Sequence, residues 1–507
     1  IEAAAMRYFG KNASELNIQE SAVLVGILKA NTYYNPRINP ENAIKRRNQV
    51  LTLMQAEGYL SGPQSDSLRA TPLELHYANY RRESPAGYFV YQVKKRVKNI
   101  LVEIEEKTGI VYDFEKDGLR IYTSIDISLQ ESARNAAKIH LKKMQILLDK
   151  ELEKENWRIQ WQEDLQDGPE LQDFNAVGKR ELFDWDGLRT EEITYTDSLW
   201  HYYKMLNASV LISEAVSGRV LCWVGGNHYR YLPYDMVLSK RQIASAIKPI
   251  IYSAALENGL TPCSYLSNEI VEYQDFNNWK PENYDKSSSK DSLVAMWYSL
   301  ANSLNLPTVD LYFQTGHENV ADMLRRFDLE PPVDETPAMA LGSLDVSLFE
   351  IVKAYGVFPG NGEICETLTM IDRIEDAKGN IIYNGINQKT IPVIMPGTAS
   401  EITAMLEMAI EDGTGAQLRD HYGIESTLAG KTGTAQNFSD AWFIAYTPKI
   451  IIGTWVGARS PDMHFQSGLG SGSSLALPIC GEILSDIENQ PDLKNKYLLS
   501  FQNDQVA

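Results

Sequence analysis

The stretch Leu428–Gly457, LAGKTGTAQNFSDAWFIAYTPKIIIGTWVG, constrains the fold of this chain more than any other. Its later residues alternate, are rich in β-branched and aromatic side chains, and break at Thr447-Pro448, which reads as strands turning back on one another. A second such pair, LNASVLISEAVSGRVLCWVGG, is joined at Ser217-Gly218, a hairpin signal. Strands return at MIDRIEDAKGNIIYN, while the intervening residues, about 242 to 358, are helix-rich. Strands at both ends of a helical block predict an α+β domain, an antiparallel sheet with helices on both faces. The 507 residues exceed what one hydrophobic core accommodates, so further domains are expected.

Residues 1 to about 80 read as helices: IEAAAMRYFG ends at Gly10, NIQESAVLVGILKAN repeats the pattern, and NPENAIKRRNQVLTLMQAEGYL opens on Asn-Pro. YFVYQVKKRVKNILVEIEEKTG is a helix with Gly109 at its cap, followed by the strand GLRIYTSID. The segment from Ser128 to Leu165 reads as one long helix, dense in charge pairs and so a solvated face. Residues 164–200 are acidic and aromatic and read as an insertion or linker. A net charge of −19 argues against a nucleic-acid surface. Cys222, Cys263, Cys365 and Cys480 form no Cys-x-x-Cys pair and read as buried free thiols. The seven histidines are scattered, so no metal site is expected. No apolar run approaches the ~18 residues of a membrane span, and the start at Ile1, within an amphipathic pattern, reads as that of a fragment.

Lys-Thr-Gly occurs twice. At Lys107-Thr108-Gly109 it reads as a helix end; at Lys431-Thr432-Gly433 a strand follows, placing it at the edge of a cleft. A strand of this kind with a neighbouring serine and lysine suits acyl transfer. Two Ser-x-x-Lys candidates precede it. Ser287–Lys290 lies in polar YDKSSSKDS, whereas Ser245–Lys248 lies in RQIASAIKPIIYSAALENGL, an apolar helix beginning near Ser245, with Pro249 tolerable in its first turn. Spacing of three puts Lys248 on the face of Ser245, where desolvation lowers an ammonium pKa as a general base requires. A capping serine with a snorkelling lysine would give the same letters. Between the motifs, Ser303-Leu304-Asn305 closes a helix before Pro307, so a hydroxyl and an amide can face one way. Lys431, at the rim of its strand, is expected to stay charged.

These motifs resemble those of the penicillin-binding proteins, specifically the bifunctional class A kind, and the resemblance covers nearly all of the chain. RQIASAIKP is similar to the family's active-serine motif, NSLNLPTV to its second motif and GKTGTAQNFSDAWFIAYTP to its third. ALGSLDVSLFEIVKAYGVFPGNG and EDGTGAQ are similar to family segments outside the site. Residues 1–82 resemble the closing helical part of the family's glycosyltransferase domain, whose catalytic glutamates lie outside this sequence. The implied division is 1–82, a linker or pedestal with the acidic insertion at 83–204, a transpeptidase domain of penicillin-binding and serine β-lactamase type at 205–485, and a tail at 486–507. The resemblance implies Ser245 as nucleophile, Lys248 as base, and Ser303 and Lys431 as proton relay. It also implies an oxyanion hole of the Ser245 and Thr434 N–H groups, and substrate binding by Asn305, Thr432, Gly433, Thr434 and Gln436 along a strand from 431 to 436.

The implied reaction cross-links peptidoglycan stem peptides through a serine acyl-enzyme, with β-lactams trapped at the same serine. Glycan polymerisation from lipid II is implied for the intact protein. The transpeptidase needs no cofactor; room is left for a divalent metal in the missing glycosyltransferase part. Stem peptides, lipid II and β-lactams are the implied partners, without nucleic acid, and cell-wall assembly proteins are admitted. Placement is on the periplasmic face of the cytoplasmic membrane, through an anchor outside this sequence. One departure stands out: the family has Pro-Gly before the active serine, and this chain has Ile243-Ala244. Two rivals remain, a carboxypeptidase or β-lactamase-type hydrolase and a non-catalytic β-lactam sensor. No deacylating base is identified for the first, and none of the three motifs is degraded as the second would suggest.

Overall fold

The structure, a computed structural model, describes residues 1–76, 84–154, 156–166, 175–284, 292–386 and 389–501. Two units separate, Ile1–Ser84 and Pro85–Ala507. The first holds helices Glu2–Phe9, Ile18–Ile27, Pro40–Ala56 and Gly62–Ala70. Gly10 ends the first in the left-handed region at φ 67°, and Asn17 and Glu20 cap the second reciprocally. Arg47 is buried and donates to the carbonyls of Arg69 and Thr71, which satisfies a charge withdrawn from water. Among the described residues no helix is long and apolar enough to cross a membrane.

In the second unit the alternating segments become one antiparallel sheet of β1 (Leu206–Glu214), β2 (Val220–Val224), β3 (Ala429–Thr434), β4 (Asp440–Tyr446) and β5 (Ile450–Ala458). Their spatial order is β3-β4-β5-β1-β2. Around the sheet lie α1 (Gly87–Thr108), α2 (Ile127–Lys154), α3 (Lys248–Glu257), α4 (Met296–Ala301), α5 (Leu306–Thr315), α6 (Leu348–Tyr355), α7 (Pro396–Glu411) and α8 (Leu477–Glu488). Period two divides β4 between two cores. Ala441, Phe443 and Ala445 pack with α2 and α8, whereas Trp442, Ile444 and Tyr446 pack with α3, α6 and α7. Helices therefore cover both faces, as the sequence led us to expect. The hairpin turns at Gly218, whose φ of 66° favours glycine.

The two sheet edges differ. Gln130 on α2 blocks β2: the Trp223 N–H donates to Gln130 Oε1 at 2.8 Å, and Gln130 Nε2 donates to the Trp223 carbonyl at 3.0 Å. Strand β3 is the other edge and has no strand partner on its outer side among the described residues.

Three expectations change. The long charged segment breaks after Lys154, with Asn156 at φ 54°, and resumes as the helix Trp157–Gln166. Its first part, α2, buries Leu129, Ala133, Leu141, Met144, Leu148 and Leu152, so charge pairs decorate only its outer face. The insertion contains a hairpin, Val177–Asp184 with Gly187–Thr194, and a helix Tyr195–Tyr203 capped by Thr194 and Asp197. Cys222, Cys365 and Cys480 are buried thiols, but Cys263, in a turn after Pro262, is exposed. Lys107-Thr108-Gly109 does end a helix, with Gly109 at φ 72° donating to the Glu105 carbonyl.

Candidate active site

Ser245 lies in a 3-10 turn, Ala244–Ile247, that runs directly into α3. Pro249 falls in the first turn of α3, where its missing N–H costs no intrahelical bond. The turn is gripped on several sides. Ile243 and Ala244 donate to the carbonyls of Leu344 and Gly342, the Trp442 indole donates to the Gln242 carbonyl at 2.8 Å, and the Tyr355 hydroxyl donates to the Ala246 carbonyl at 2.5 Å. Strand β3 closes in at Gly433, where a Cβ would lie 3.0 Å from the Ile243 carbonyl oxygen and 3.2 Å from Ala246 Cβ. Gly433 therefore acts by having no side chain: it lets the third motif approach the serine turn.

The three motifs meet at Ser303. This residue follows α4 at φ 56°, in the left-handed region, and its two oxygens serve two lysines. Lys248 Nζ donates to the Ser303 carbonyl at 2.9 Å, to the Leu304 carbonyl at 3.0 Å and to Asn305 Oδ1 at 2.8 Å. Lys431 Nζ donates to Ser303 Oγ at 2.7 Å and to the Thr432 carbonyl at 3.0 Å. Both lysines are fully buried. Burial, with the nearby Lys431 charge second, pushes Lys248 well below the ordinary lysine range. Burial alone lowers Lys431 to about 7. The rim position expected for Lys431 is thus corrected. The strand was legible, but the α4–α5 connection that roofs the lysine was not. The three oxygens around Lys248 favour its ammonium form, yet the loss of water outweighs them. Ser245 Oγ is not among the Lys248 partners here, so proton transfer requires one of those contacts to be exchanged.

Asn305 is engaged on both sides, accepting from Lys248 and donating through Nδ2 to the Glu282 carbonyl at 2.9 Å. Asn283 Oδ1 in turn takes the N–H groups of Asn305 and Leu306 at the head of α5. Thr432 Oγ1 donates to Thr414 Oγ1 at 2.9 Å, so EDGTGAQ, which the sequence placed outside the site, supplies a group inside it. Thr434 Oγ1 accepts from the Gly472 N–H at 2.9 Å, leaving its own proton to donate elsewhere. Strand β3 ends at Thr434, and Gln436 lies beyond it in an exposed turn rather than on the strand. The competing Ser287–Lys290 motif lies outside the described residues.

The open edge of β3 has a defined polarity. Ala435 donates to the Asp440 carbonyl, which sets the antiparallel alternation, so Thr432 and Thr434 turn their N–H and C=O groups outward. The Lys431 contact to the Thr432 carbonyl agrees with this. An extended chain seated there would find backbone partners beside Ser245. No group of three or more His, Cys, Asp or Glu side chains able to hold a metal occurs among the described residues.

Comparison with known proteins gives matches over both units. Residues 208–459 match the penicillin binding protein transpeptidase domain, and residues 1–55 match the transglycosylase family. Penicillin-binding protein 1A of Aquifex aeolicus is 30% identical over 94% of this chain and 67% of its own length. Penicillin-binding protein 1B of Haemophilus influenzae is 28% identical over 96% of this chain and 54% of its own. The crystal structure of penicillin-binding protein 1A from Haemophilus influenzae superposes with a TM-score of 0.73 at 21% identity, covering 99% of this chain and 84% of that one, and so supports the fold.

Proposed function

The chain belongs to the bifunctional class A penicillin-binding proteins, and from that membership we propose that Ser245 is the nucleophile of a peptidoglycan D,D-transpeptidase. The observation that carries the assignment is the junction at Ser303, where one residue engages both Lys248 and Lys431 beside the serine turn. A neutral Lys248 accepts the Ser245 proton as Oγ attacks the carbonyl between the last two D-alanines of a stem peptide. The C–N bond breaks, and the terminal D-alanine leaves with a proton relayed through Ser303 and Lys431. An amine of a second stem peptide attacks the acyl-enzyme carbonyl; the ester bond to Ser245 Oγ breaks as the cross-link amide forms, and the proton lost by the amine returns to Ser245 Oγ. The N–H groups of Ser245 and Thr434 hold the oxyanion, and the outward groups of β3 pair with the donor peptide.

Thr434, whose hydroxyl proton is free, and Lys431 suit the terminal carboxylate; Thr432 is the secondary donor because its proton is directed at Thr414. Asn305 orients Lys248, and a substrate carbonyl reaches its Nδ2 by replacing the Glu282 carbonyl. Gln436 lines the exit of the strand. β-Lactams acylate the same serine. The glycan-polymerising activity belongs to the domain that residues 1–55 match, with lipid II as its substrate, and any divalent metal belongs to that reaction. The enzyme acts in the cell envelope, on the periplasmic face of the cytoplasmic membrane, alongside assembly partners.

Labelled penicillin followed by peptide mapping tests the assignment: the label is expected on the peptide carrying Ser245, and a label on SSSK would overturn it. A stem-peptide assay with an added amine acceptor is expected to release D-alanine and form the cross-linked product. Release without cross-linking would favour the hydrolase, and labelling without turnover would favour the sensor.

A further inference from the structure

Thr434 is oriented from outside the cleft. The Gly472 N–H that reaches its hydroxyl lies against the end of β3, so close that a Cβ at Gly472 would sit 2.4 Å from the Gly433 carbonyl oxygen. The segment leading to Gly472 passes through a tight turn, Gly468–Gly470, capped by Ser467, whose Oγ accepts from the Leu469 N–H. Gly470 is pressed onto Phe438, in the turn that follows β3. This turn is tied down at one point by a charge. Glu151, near the end of α2, accepts from the Gln466 N–H at 2.9 Å with Oε2 and from Ser467 Oγ at 2.5 Å with Oε1. Met463 and Phe465 anchor the same segment in the core shared with α2, and His464 rests edge-on against Trp157 at 5.8 Å between ring centroids.

We propose that Glu151 is a positioning residue for the carboxylate end of the substrate: by fixing Gln466 and Ser467 it holds the turn through which the Gly472 N–H aims the Thr434 hydroxyl. The proposal rests on the assignment of Thr434 to carboxylate recognition. Each carboxylate oxygen takes one donor, and bonds to a charged acceptor are the stronger kind, so their loss frees a turn that has few other polar ties.

The test is benzylpenicillin acylation of the full chain by stopped flow, which separates initial binding from the acylation step. Glu151→Ala is expected to weaken binding about tenfold while the limiting acylation rate stays within about twofold. Glu151→Gln, which retains one acceptor oxygen, is expected to fall between, and Glu153→Ala, two residues along on the exposed face of the same helix, to match wild type. In a Thr434→Val background, Glu151→Ala is expected to add less than about twofold, because both changes act through one hydroxyl. Full additivity in that background, a loss confined to the acylation rate, or unchanged binding in Glu151→Ala would each overturn the proposal. Failure of the wild-type chain to be acylated at all would instead sink the assignment of Ser245.

Discussion

Ser303 holds its place by backbone geometry that the sequence does not announce. At φ 56° it turns its carbonyl to one lysine and its hydroxyl to another, a conformation that a non-glycine residue keeps only when its surroundings demand it. Two buried ammonium groups with shared partners repel, and burial depresses both, Lys431 to about 7. Arginine cannot lose its proton at working pH and is larger than lysine in a space with no exposed surface. Lys248→Arg and Lys431→Arg are therefore each expected to lower the second-order acylation constant by ~100-fold or more. A near-normal constant in Lys431→Arg would return that residue to an exposed rim. Ser245 and Lys248 were legible because their relation is local, three residues on one helical run. Thr414 was not, because its partner Thr432 lies on a separate element, β3, and only the packing of α7 on that strand brings them together.

Among the elements, the serine turn carries the departure at Ile243-Ala244. Ala244, where the resemblance implies glycine, occupies φ 52°, and Gly342, at φ 80°, lies so near that a Cβ there would be 2.0 Å from the Ala244 carbonyl oxygen. A Cβ in the left-handed region costs ~1–2 kcal/mol, and glycine gives back part of the gain through its freer unfolded chain. Ala244→Gly is thus expected to stabilise the protein by about 1 kcal/mol in denaturant unfolding. Gly342→Ala, which meets backbone rather than a movable side chain, is expected to cost about 3 kcal/mol or more and to abolish acylation. A neutral Gly342→Ala would show that the turn adapts. Other elements divide by how local their cause is. The hairpin at Ser217-Gly218 and the cap at Gly109 follow from neighbouring residues and were readable. The hairpin that turns at Trp185-Asp186, with Gly187 opening its second strand, was masked by its acidic and aromatic surroundings. The burial of α2 depends on β1 and β2, which follow the insertion, and on α8 near the far end of the chain, so its charge pairs alone misled.

For the molecule as a whole, one sheet divides the second unit into two cores, and the reacting lysines lie within that arrangement rather than on it. Their burial links chemistry to stability. Lys431 titrates near 7 when folded and near 10.5 when unfolded. Below about pH 7 both states carry the proton, and the folded state bears the whole cost of a buried charge. Between about 7 and 10.5 the unfolded chain keeps a proton that the folded chain has released, so unfolding free energy rises with pH, by at most ~1.4 kcal/mol per pH unit for one group. Lys248 is shifted the same way and adds in the same direction. The buried tyrosines Tyr252, Tyr355 and Tyr446 oppose this at higher pH, because burial raises their titration above the ordinary 10 and the unfolded chain then loses protons first. Stability is therefore expected to climb from about pH 7 to a maximum below the tyrosine range and then decline. Replacing the ammonium by a neutral side chain of similar length, Lys431→Met, is expected to raise the melting temperature at pH 7 and to flatten the climb, while the fall at high pH remains. Melting curves recorded in steps across this range decide the matter, because parallel wild-type and Lys431→Met profiles would mean that Lys431 keeps its proton in the folded protein and cannot serve as a relay.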